Sequence, residues 1–266
     1  MSSMPETDSG SERILICIAT YNERDNLKPL IEGIHVAVPA ADVLVVDDNS
    51  PDGTGRLADE MATADKRIHT LHRAGKLGLG TAVLAGVSYA DAHNYGFLIT
   101  MDADFSHHPR YLPHLLQGMP ERDVMIGSRY VPGGGVANWP LSRRMTSKSV
   151  NLLVRLLFGI PARDTSGGFR CYRVAKLREA NLGAMVSRGY SFQEEALYRC
   201  YRAGARIGET PIIFENRRVG ASKVNPREIV RSLSILMWLG LGAFFHRIAG
   251  SLRRNRPISS ADRVAA

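Results

Sequence analysis

The stretch that most limits how this chain can fold is Phe97-Leu-Ile-Thr-Met101, which runs directly into Asp102-Ala103-Asp104 and then Phe105-Ser-His-His-Pro109. An apolar run this short reads as a buried strand of a parallel sheet. Residues i and i+2 of extended chain share a face, so the spacing predicts that Asp102 and Asp104 look the same way. Two carboxylates at the end of a buried strand are costly unless a cation lies between them. A hard divalent ion completed by substrate phosphates fits that need, since Mg²⁺ commonly takes one or two carboxylates plus phosphate oxygens. The position agrees, because open α/β sheets bind ligands beyond the carboxyl ends of their strands. The alternative is a solvated Asp-rich turn leading to a helix capped by Ser106 and started near Pro109.

The preceding chain repeats the same grammar. Arg13 to Ala19 reads as a strand, and Thr20-Tyr-Asn-Glu-Arg-Asp-Asn26 leads into a helix through Val38, with Asn22 as its expected N-cap. Val43 to Val46 is a second strand, entering the turn-rich Asp47-Asp-Asn-Ser-Pro-Asp-Gly-Thr54 and a helix ending near Asp65. Ile68 to Leu71 is a third strand; Lys76 to Gly80 opens a helix through Ala92, and Tyr95 to Met101 is the fourth strand. Strands alternating with helices predict an α/β, doubly wound, mostly parallel sheet.

Gly78-Leu-Gly80 lacks the third glycine of a dinucleotide fingerprint, and the loop after the first strand has no glycine, which disfavours a nicotinamide or flavin site. Polar groups nevertheless recur at successive strand ends: Tyr21 and Glu23, Asp48, then Asp102 and Asp104. An aromatic face for a base and carboxylates for ribose and metal would make a nucleotide crevice. Charge divides along the chain: residues 1–133 hold 11 Lys/Arg against 18 Asp/Glu, residues 134–266 hold 23 against 8. The acidic half suits a cation and the basic half suits phosphates or an anionic surface. No zinc-finger, homeodomain or RNP pattern supports nucleic acid as a partner. Three scattered cysteines form neither a disulfide framework nor a zinc site, and the polar, acidic start predicts no secretory leader, so a reducing cytosol is expected.

Ala19-Thr-Tyr-Asn-Glu23, Val45-Val-Asp-Asp-Asn-Ser-Pro-Asp-Gly53, Leu77-Gly-Leu-Gly80 and Met101 to Pro109 together resemble the dolichol-phosphate (polyprenol-phosphate) mannose synthases, family-2 transferases of GT-A type. The likeness continues through Gly127-Ser-Arg-Tyr130, Trp139 with Arg143, Asp164 to Arg170, and Arg217 with Gly220 to Lys223, spanning roughly residues 13 to 235. The resemblance implies a GT-A-type, Rossmann-like fold and inverting, Mg²⁺- or Mn²⁺-dependent transfer of mannose from GDP-mannose to a polyprenyl (dolichyl) phosphate. It places the guanosine on Ala19, Tyr21, Glu23, Val46 and Asp48, and the diphosphate and metal on Asp102, Ala103 and Asp104. Arg129, Arg217 and Lys223 match the basic residues on the sugar diphosphate, so Asp104, Arg129, Arg217 and Lys223 carry the chemistry. The family more often has Pro at position 19, and some members have Gln at 106, which leaves Ser106 open as a third metal ligand. Glucosyl transfer from UDP-glucose stays open as an alternative, because no motif fixes the sugar. A non-catalytic nucleotide-sugar or nucleic-acid binding module is the alternative of another class, against which Asp102, Asp104, Arg217 and Lys223 count.

A lipid phosphate oxygen is already anionic at neutral pH, so no strong base is required, and His107 and His108 read as helix-start residues beside the site rather than as reacting groups. The second half is expected to hold the acceptor. Gly133-Gly-Gly135 reads as a flexible loop over the donor. Arg143, Arg144 and Ser147, with Lys148, open a helical pattern running to Phe158 and are expected to take the acceptor phosphate. Gln193-Glu-Glu195 reads either as orienting the acceptor or as pairing with arginines. Leu233 to Phe245 is uncharged for 13 residues between arginines. At about 1.5 Å per residue it covers roughly 20 Å, short of the ~30 Å hydrocarbon core. This predicts an interfacial C-terminal helix docking on a bilayer surface or a membrane-protein partner at the cytoplasmic face, with a buried core helix or a dimer contact as the alternative. The expected organisation is a disordered 1–12, a catalytic domain over 13–225, a docking helix over 226–249 and a basic disordered tail over 250–266.

Overall fold

The computed structural model describes residues 12–187, 189, 191–215 and 234–241. Its first half alternates as the apolar runs demand: β1 (Ile14–Thr20), α1 (Arg24–Ala37), β2 (Asp42–Asp47), α2 (Thr54–Ala64), β3 (Ile68–His72), α3 (Leu79–Ala92) and β4 (Phe97–Asp102). These strands pair in parallel, β1 lying between β2 and β4 and β3 outside β2. Each is an almost continuous run of buried residues because helices cover both faces.

The second half extends this sheet with β5 (Val124–Ser128), β7 (Arg170–Arg173) and β8 (Ile207–Pro211), giving the order β3-β2-β1-β4-β7-β5-β8. Strand β7 runs antiparallel to both β4 and β5. Two reversals restore direction, so β5 ends at the same edge as β4. A small second sheet pairs β6 (Gly135–Val136) with β9 (Ile213–Phe214). Between β6 and β7 lies α5 (Leu141–Phe158), which ends on Gly159 in the left-handed region, φ 68°. Short α4 (Leu112–Gln117) and α6 (Val174–Glu179) follow β4 and β7, α7 (Phe192–Arg202) precedes β8, and a further helical stretch, α8, covers 234–241.

The core forms two layers. Ile16, Ile18, Val43, Val45 and Ile99 pack on α1 and α4, while Leu15, Leu44, Val46 and Leu98 pack on α3, α5 and α7. Period-two alternation sends successive strand residues to opposite layers. Cys17, Cys171 and Cys200 are free thiols buried in this core. Among the described residues no helix is long and apolar enough to cross a membrane.

Three details differ from the sequence-based expectations. Helix α1 begins at Arg24, with Glu23 in the N-cap position, while Asn22 adopts φ 61° and donates its amide to Ser50 Oγ at 3.1 Å. Asn22 is thus a left-handed turn residue, a backbone conformation asparagine tolerates. Gly133 to Gly135 is a hydrogen-bonded turn entering β6 and not an open loop: Gly134 donates to Val131 O at 2.9 Å and Gly135 to Ile212 O at 2.9 Å. A Cβ on Gly134 would come within 2.5 Å of Ser128 O, so glycine is needed there for close backbone approach. The short helix after Asp104 is capped not by Ser106 but by His108, whose Nδ1 accepts the Arg110 amide at 3.2 Å.

Candidate active site

The strand register draws the motif residues together. Ala19 lies opposite Val46 on one side and opposite Asp102 on the other, so the ends of β2, β1 and β4 form one row. Just past that row stand Tyr21, Glu23 and Asp48. Tyr21 is exposed, with Lys76 Nζ 4.6 Å from its ring centre. Glu23 accepts from Asn26 Nδ2 at 2.8 Å, and its amide donates to Thr54 Oγ1 at 3.0 Å, tying the β1 loop to the start of α2.

The two carboxylates that end β2 have different tasks. Asp47 accepts from Thr20 Oγ1 at 2.9 Å, Ser50 N at 2.9 Å and Ser50 Oγ at 2.6 Å, which closes the turn. Asp48 instead meets Arg73 in a buried ion pair, and Arg73 Nη1 donates to Thr81 Oγ1 at 2.6 Å. The expected guanosine residue Asp48 is therefore oriented by Arg73, 25 positions away, which sequence reasoning missed.

At the end of β4, extended geometry stops at Asp102. Phe105 takes φ 62°, and Asp104 turns back to accept the Ser106 amide at 3.0 Å through Oδ1. The pair thus comes from a strand end and a tight turn, not from consecutive positions on one strand face. Asp102 is half-buried, whereas Ala103, Asp104 and Ser106 are buried. Behind them His107 is buried against Phe169, ring centres 5.0 Å apart and nearly parallel. Its Nδ1 accepts the Asp102 amide proton at 3.1 Å and lies 3.6 Å from Asp102 Oδ2. Burial lowers the His107 pKa, against the opposing pull of Asp102 and Asp104. A neutral ring with unprotonated Nδ1 follows, and it fixes the backbone at Asp102.

Arg129, at the exit of β5, is gripped by Asp164. Its backbone N, Nε and Nη2 donate to that carboxylate at 2.9, 2.7 and 2.6 Å, and Nη2 also reaches Ser166 Oγ at 2.8 Å. Burial alone would raise the Asp164 pKa; the hydrogen bonds and charge of Arg129 outweigh it and hold the carboxyl below its usual range. The Asp164 loop is itself clamped. Glu209 accepts the Arg163 and Asp164 amides at 2.7 and 2.9 Å, and Asn151 Oδ1 accepts from Thr165 N at 2.6 Å and Ser166 N at 3.2 Å. Arg129 Nη1 makes no hydrogen bond among the described residues, which leaves one edge of a fixed guanidinium for a phosphate oxygen.

The expected acceptor residues occupy the first turns of α5. Arg143 stacks 3.9 Å over Trp139, Arg144 Nη2 donates to Val136 O at 3.0 Å, and Ser147 Oγ accepts from Tyr130 Oη at 2.6 Å. Glu195 pairs with Arg199 and accepts the Ser187 amide at 2.8 Å, so it serves the arginine-pairing alternative. Glu194 is fully buried near Arg170, and burial pushes its pKa up to about 7. Arg217 and Lys223 lie outside the described residues, as does most of the expected docking segment 226–249.

For a metal, the donor chemistry fits. Asp102 and Asp104 offer hard oxygens, and among the described residues no three His, Cys, Asp or Glu side chains form a complete cage. A divalent ion held here would need ligand phosphate oxygens, which is how Mg²⁺ and Mn²⁺ are held on nucleotide diphosphates. The buried Ser106 neighbours this pair, and its carbonyl accepts the Glu215 amide at 3.4 Å.

Known proteins match this arrangement in sequence and in fold. The chain is 42% identical over 251 residues to the polyprenol monophosphomannose synthase of Mycolicibacterium smegmatis, covering 94% of this chain and 95% of that protein. It is 46% identical over 213 residues to the undecaprenyl-phosphate mannosyltransferase of Micrococcus luteus, covering 80% of this chain and 88% of that protein. Among solved structures, the glucosyl-3-phosphoglycerate synthase of Mycobacterium tuberculosis, in complex with Mn²⁺, UDP and glucosyl-3-phosphoglycerate, superposes with a TM-score of 0.60. That match covers 87% of this chain and 80% of that one at 16% identity, a likeness of fold alone. The family model for glycosyl transferase family 2 matches residues 15–180, and with relatives this similar over nearly the whole sequence, the chain belongs to glycosyl transferase family 2.

Proposed function

We propose that this family 2 glycosyl transferase moves mannose from GDP-mannose to a polyprenyl phosphate, giving polyprenyl-phosphate β-mannose and GDP. The observation that carries the reading is the single row of Ala19, Val46 and Asp102, flanked by Tyr21, Glu23 and Asp48 and continued by Arg129. An exposed tyrosine ring suits a base, and carboxylates suit ribose hydroxyls. The identities of 42% and 46% to a polyprenol monophosphomannose synthase and an undecaprenyl-phosphate mannosyltransferase support mannose as the sugar and a lipid phosphate as acceptor.

In this reading Asp102 and Asp104 would hold Mg²⁺ or Mn²⁺ beside the donor. Bound there, the ion supplies Lewis-acid neutralisation of the leaving phosphate. Arg129 adds fixed positive charge that needs no reorganisation, because Asp164 has already oriented it. His107 holds the Asp102 amide and so positions the strand end. The lipid phosphate oxygen attacks the anomeric carbon as the sugar–phosphate bond breaks. Attack from the face opposite the leaving group inverts the α-linked donor. The basic start of α5, with Arg143, Arg144 and Ser147, lies on the acceptor side.

Calorimetric titration with GDP-mannose tests the assignment. The intact chain should bind more tightly with Mn²⁺ than with chelator, and Asp104→Ala should abolish that difference while keeping its circular dichroism spectrum. A variant with an unchanged metal response would contradict the role of Asp104. Tighter metal-dependent binding of UDP-glucose than of GDP-mannose would move the sugar to glucose.

A further inference from the structure

Strand order decides what lies next to what along the carboxylate edge. Strands β2 and β1 end around Val46 and Ala19, β4 ends at Asp102, and β7 stands beside β4. Because β7 runs antiparallel to β4, with Arg170 paired to Thr100, its entry faces this edge. Continuing that register two residues back puts Gly168 level with Asp102, and its carbonyl accepts from Thr100 Oγ1 at 2.7 Å. In the function reading the base lies at Tyr21 and the diphosphate at Asp102. The next place along the row, over Gly168, is then where the sugar falls.

A small residue keeps that place open. A Cβ on Gly168 would lie 3.2 Å from Gln193 Nε2 and 3.9 Å from His107 Cε1. Gln193 stands in the first turn of α7 and is 8% exposed, and its Oε1 is buried without a hydrogen-bond partner among the described residues. The neighbouring carboxyls of that turn are turned to other tasks. Glu195 accepts the Ser187 amide at 2.8 Å and pairs with Arg199, while Glu194 is buried near Arg170. Buried Arg170 also donates from Nη1 to Gln193 O at 2.7 Å, which fixes the turn that carries the amide. On the other flank, His107 Nδ1 accepts the Asp102 amide at 3.1 Å, so the neutral ring carries its proton on Nε2.

We propose that Gln193 hydrogen-bonds the pyranose hydroxyls of the donor over Gly168, so that the site prefers a sugar nucleotide to the free nucleoside diphosphate. The inference rests on the function reading above and adds to it the residue that reads the sugar itself. A side-chain amide presents an acceptor and donors side by side, and a sugar hydroxyl both donates and accepts, so each satisfies the other. The acceptor's lipid phosphate is the poorer partner, because an ionised phosphate brings oxygens without protons and leaves Oε1 unpaired. Oε1 is already out of water and the backbone beneath it is held by Arg170, so the bond forms without new desolvation of that oxygen. Sites built to bond a hydroxyl discriminate strongly against ligands that lack it.

Calorimetric titration of the full chain with GDP-mannose and with GDP, both in Mn²⁺, tests this. Gln193→Met keeps the length and removes the hydrogen bonds. It should weaken GDP-mannose binding about tenfold and leave GDP binding unchanged, as the loss of one buried hydrogen bond implies. In transfer assays kcat/KM for GDP-mannose should fall by at least about as much, with the KM for polyprenyl phosphate unchanged. Should the methionine variant lose its circular dichroism spectrum, Gln193→Glu, which keeps the shape and removes the amide donors, is read in the same way. Equal weakening of GDP and GDP-mannose would make the role structural and overturn the proposal, as would unchanged binding of both. A raised KM for polyprenyl phosphate with GDP-mannose affinity intact would overturn it too and put Gln193 on the acceptor. Binding of UDP-glucose in preference to GDP-mannose by the unsubstituted chain would instead contradict the mannose reading. The same titrations with UDP-glucose and UDP would then decide Gln193: a loss confined to UDP-glucose supports the sugar contact, and an equal loss overturns it.

Discussion

At the residue scale, the site is built from carboxylates that are each given a different partner. Asp47 closes a turn, Asp48 meets Arg73, Asp102 is held through its amide by His107, Asp104 caps Ser106, and Asp164 fixes Arg129. Asp164→Asn should strand the buried Arg129 charge and cost about 3 kcal/mol of stability, read from urea unfolding, with weaker GDP-mannose binding. The sign of the pH effect follows from the depressed Asp164 pKa. Its contribution is complete above the ordinary carboxylate pKa of about 3.9 and is lost as pH falls through the lower folded value. The variant should therefore lose less stability than the parent chain on acidification below about pH 4. Glu194 behaves oppositely. With its folded pKa near 7, the folded state holds a proton that the unfolded state releases. Its contribution to stability thus declines as pH rises from about 4.3 to 7. Glu194→Gln should be about 1–3 kcal/mol more stable than the parent at pH 8, and thermal melts across pH should show a flatter profile. Asp102 and Asp104 were legible in the sequence because a strand end and its turn are local. The Arg73–Asp48 and Arg129–Asp164 pairs were not, since 25 and 35 residues separate the partners and only the folded sheet joins them.

At the element scale, the first four strands and three intervening helices follow from apolar runs of the right length between turn-rich segments. The later strands were not visible in the same way. Strand β7 is four residues, reads Arg-Cys-Tyr-Arg and runs antiparallel, so its place between β4 and β5 depends on long-range pairing. Its Arg170 is fully buried yet bonded to Gln193 O at 2.7 Å and Thr165 O at 2.6 Å, a partner set no local pattern announces. Helix α5 was legible as a helix from Arg143 to Phe158, but which face it buries, through Asn151, Val154 and Phe158, shows only in the fold. Asn151 joins that helix to the Asp164 loop. Asn151→Ala would leave the buried Thr165 amide without an acceptor and should lower stability by about 3 kcal/mol. Hydrogen exchange should show the Thr165 and Ser166 amides losing protection before the β1–β2–β4 strands.

At the scale of the molecule, the acidic first half supplies the carboxylate edge and Arg129, and the basic second half supplies Asp164, which holds Arg129, and the basic start of α5. The sheet brings these halves together, because β7 from the second half pairs with both β4 and β5 of the first. Mannosyl transfer to a lipid phosphate is the central claim, and one assay tests it directly. Purified chain is incubated with labelled GDP-mannose and polyprenyl phosphate, with Mn²⁺ or with chelator, and the organic phase is counted. The account predicts label in the lipid fraction only with Mn²⁺, released by mild acid as mannose, and at least about a hundredfold less with Asp104→Ala, as losing a major source of transition-state charge stabilisation implies. Equal lipid labelling with chelator, or full activity in Asp104→Ala, would contradict it.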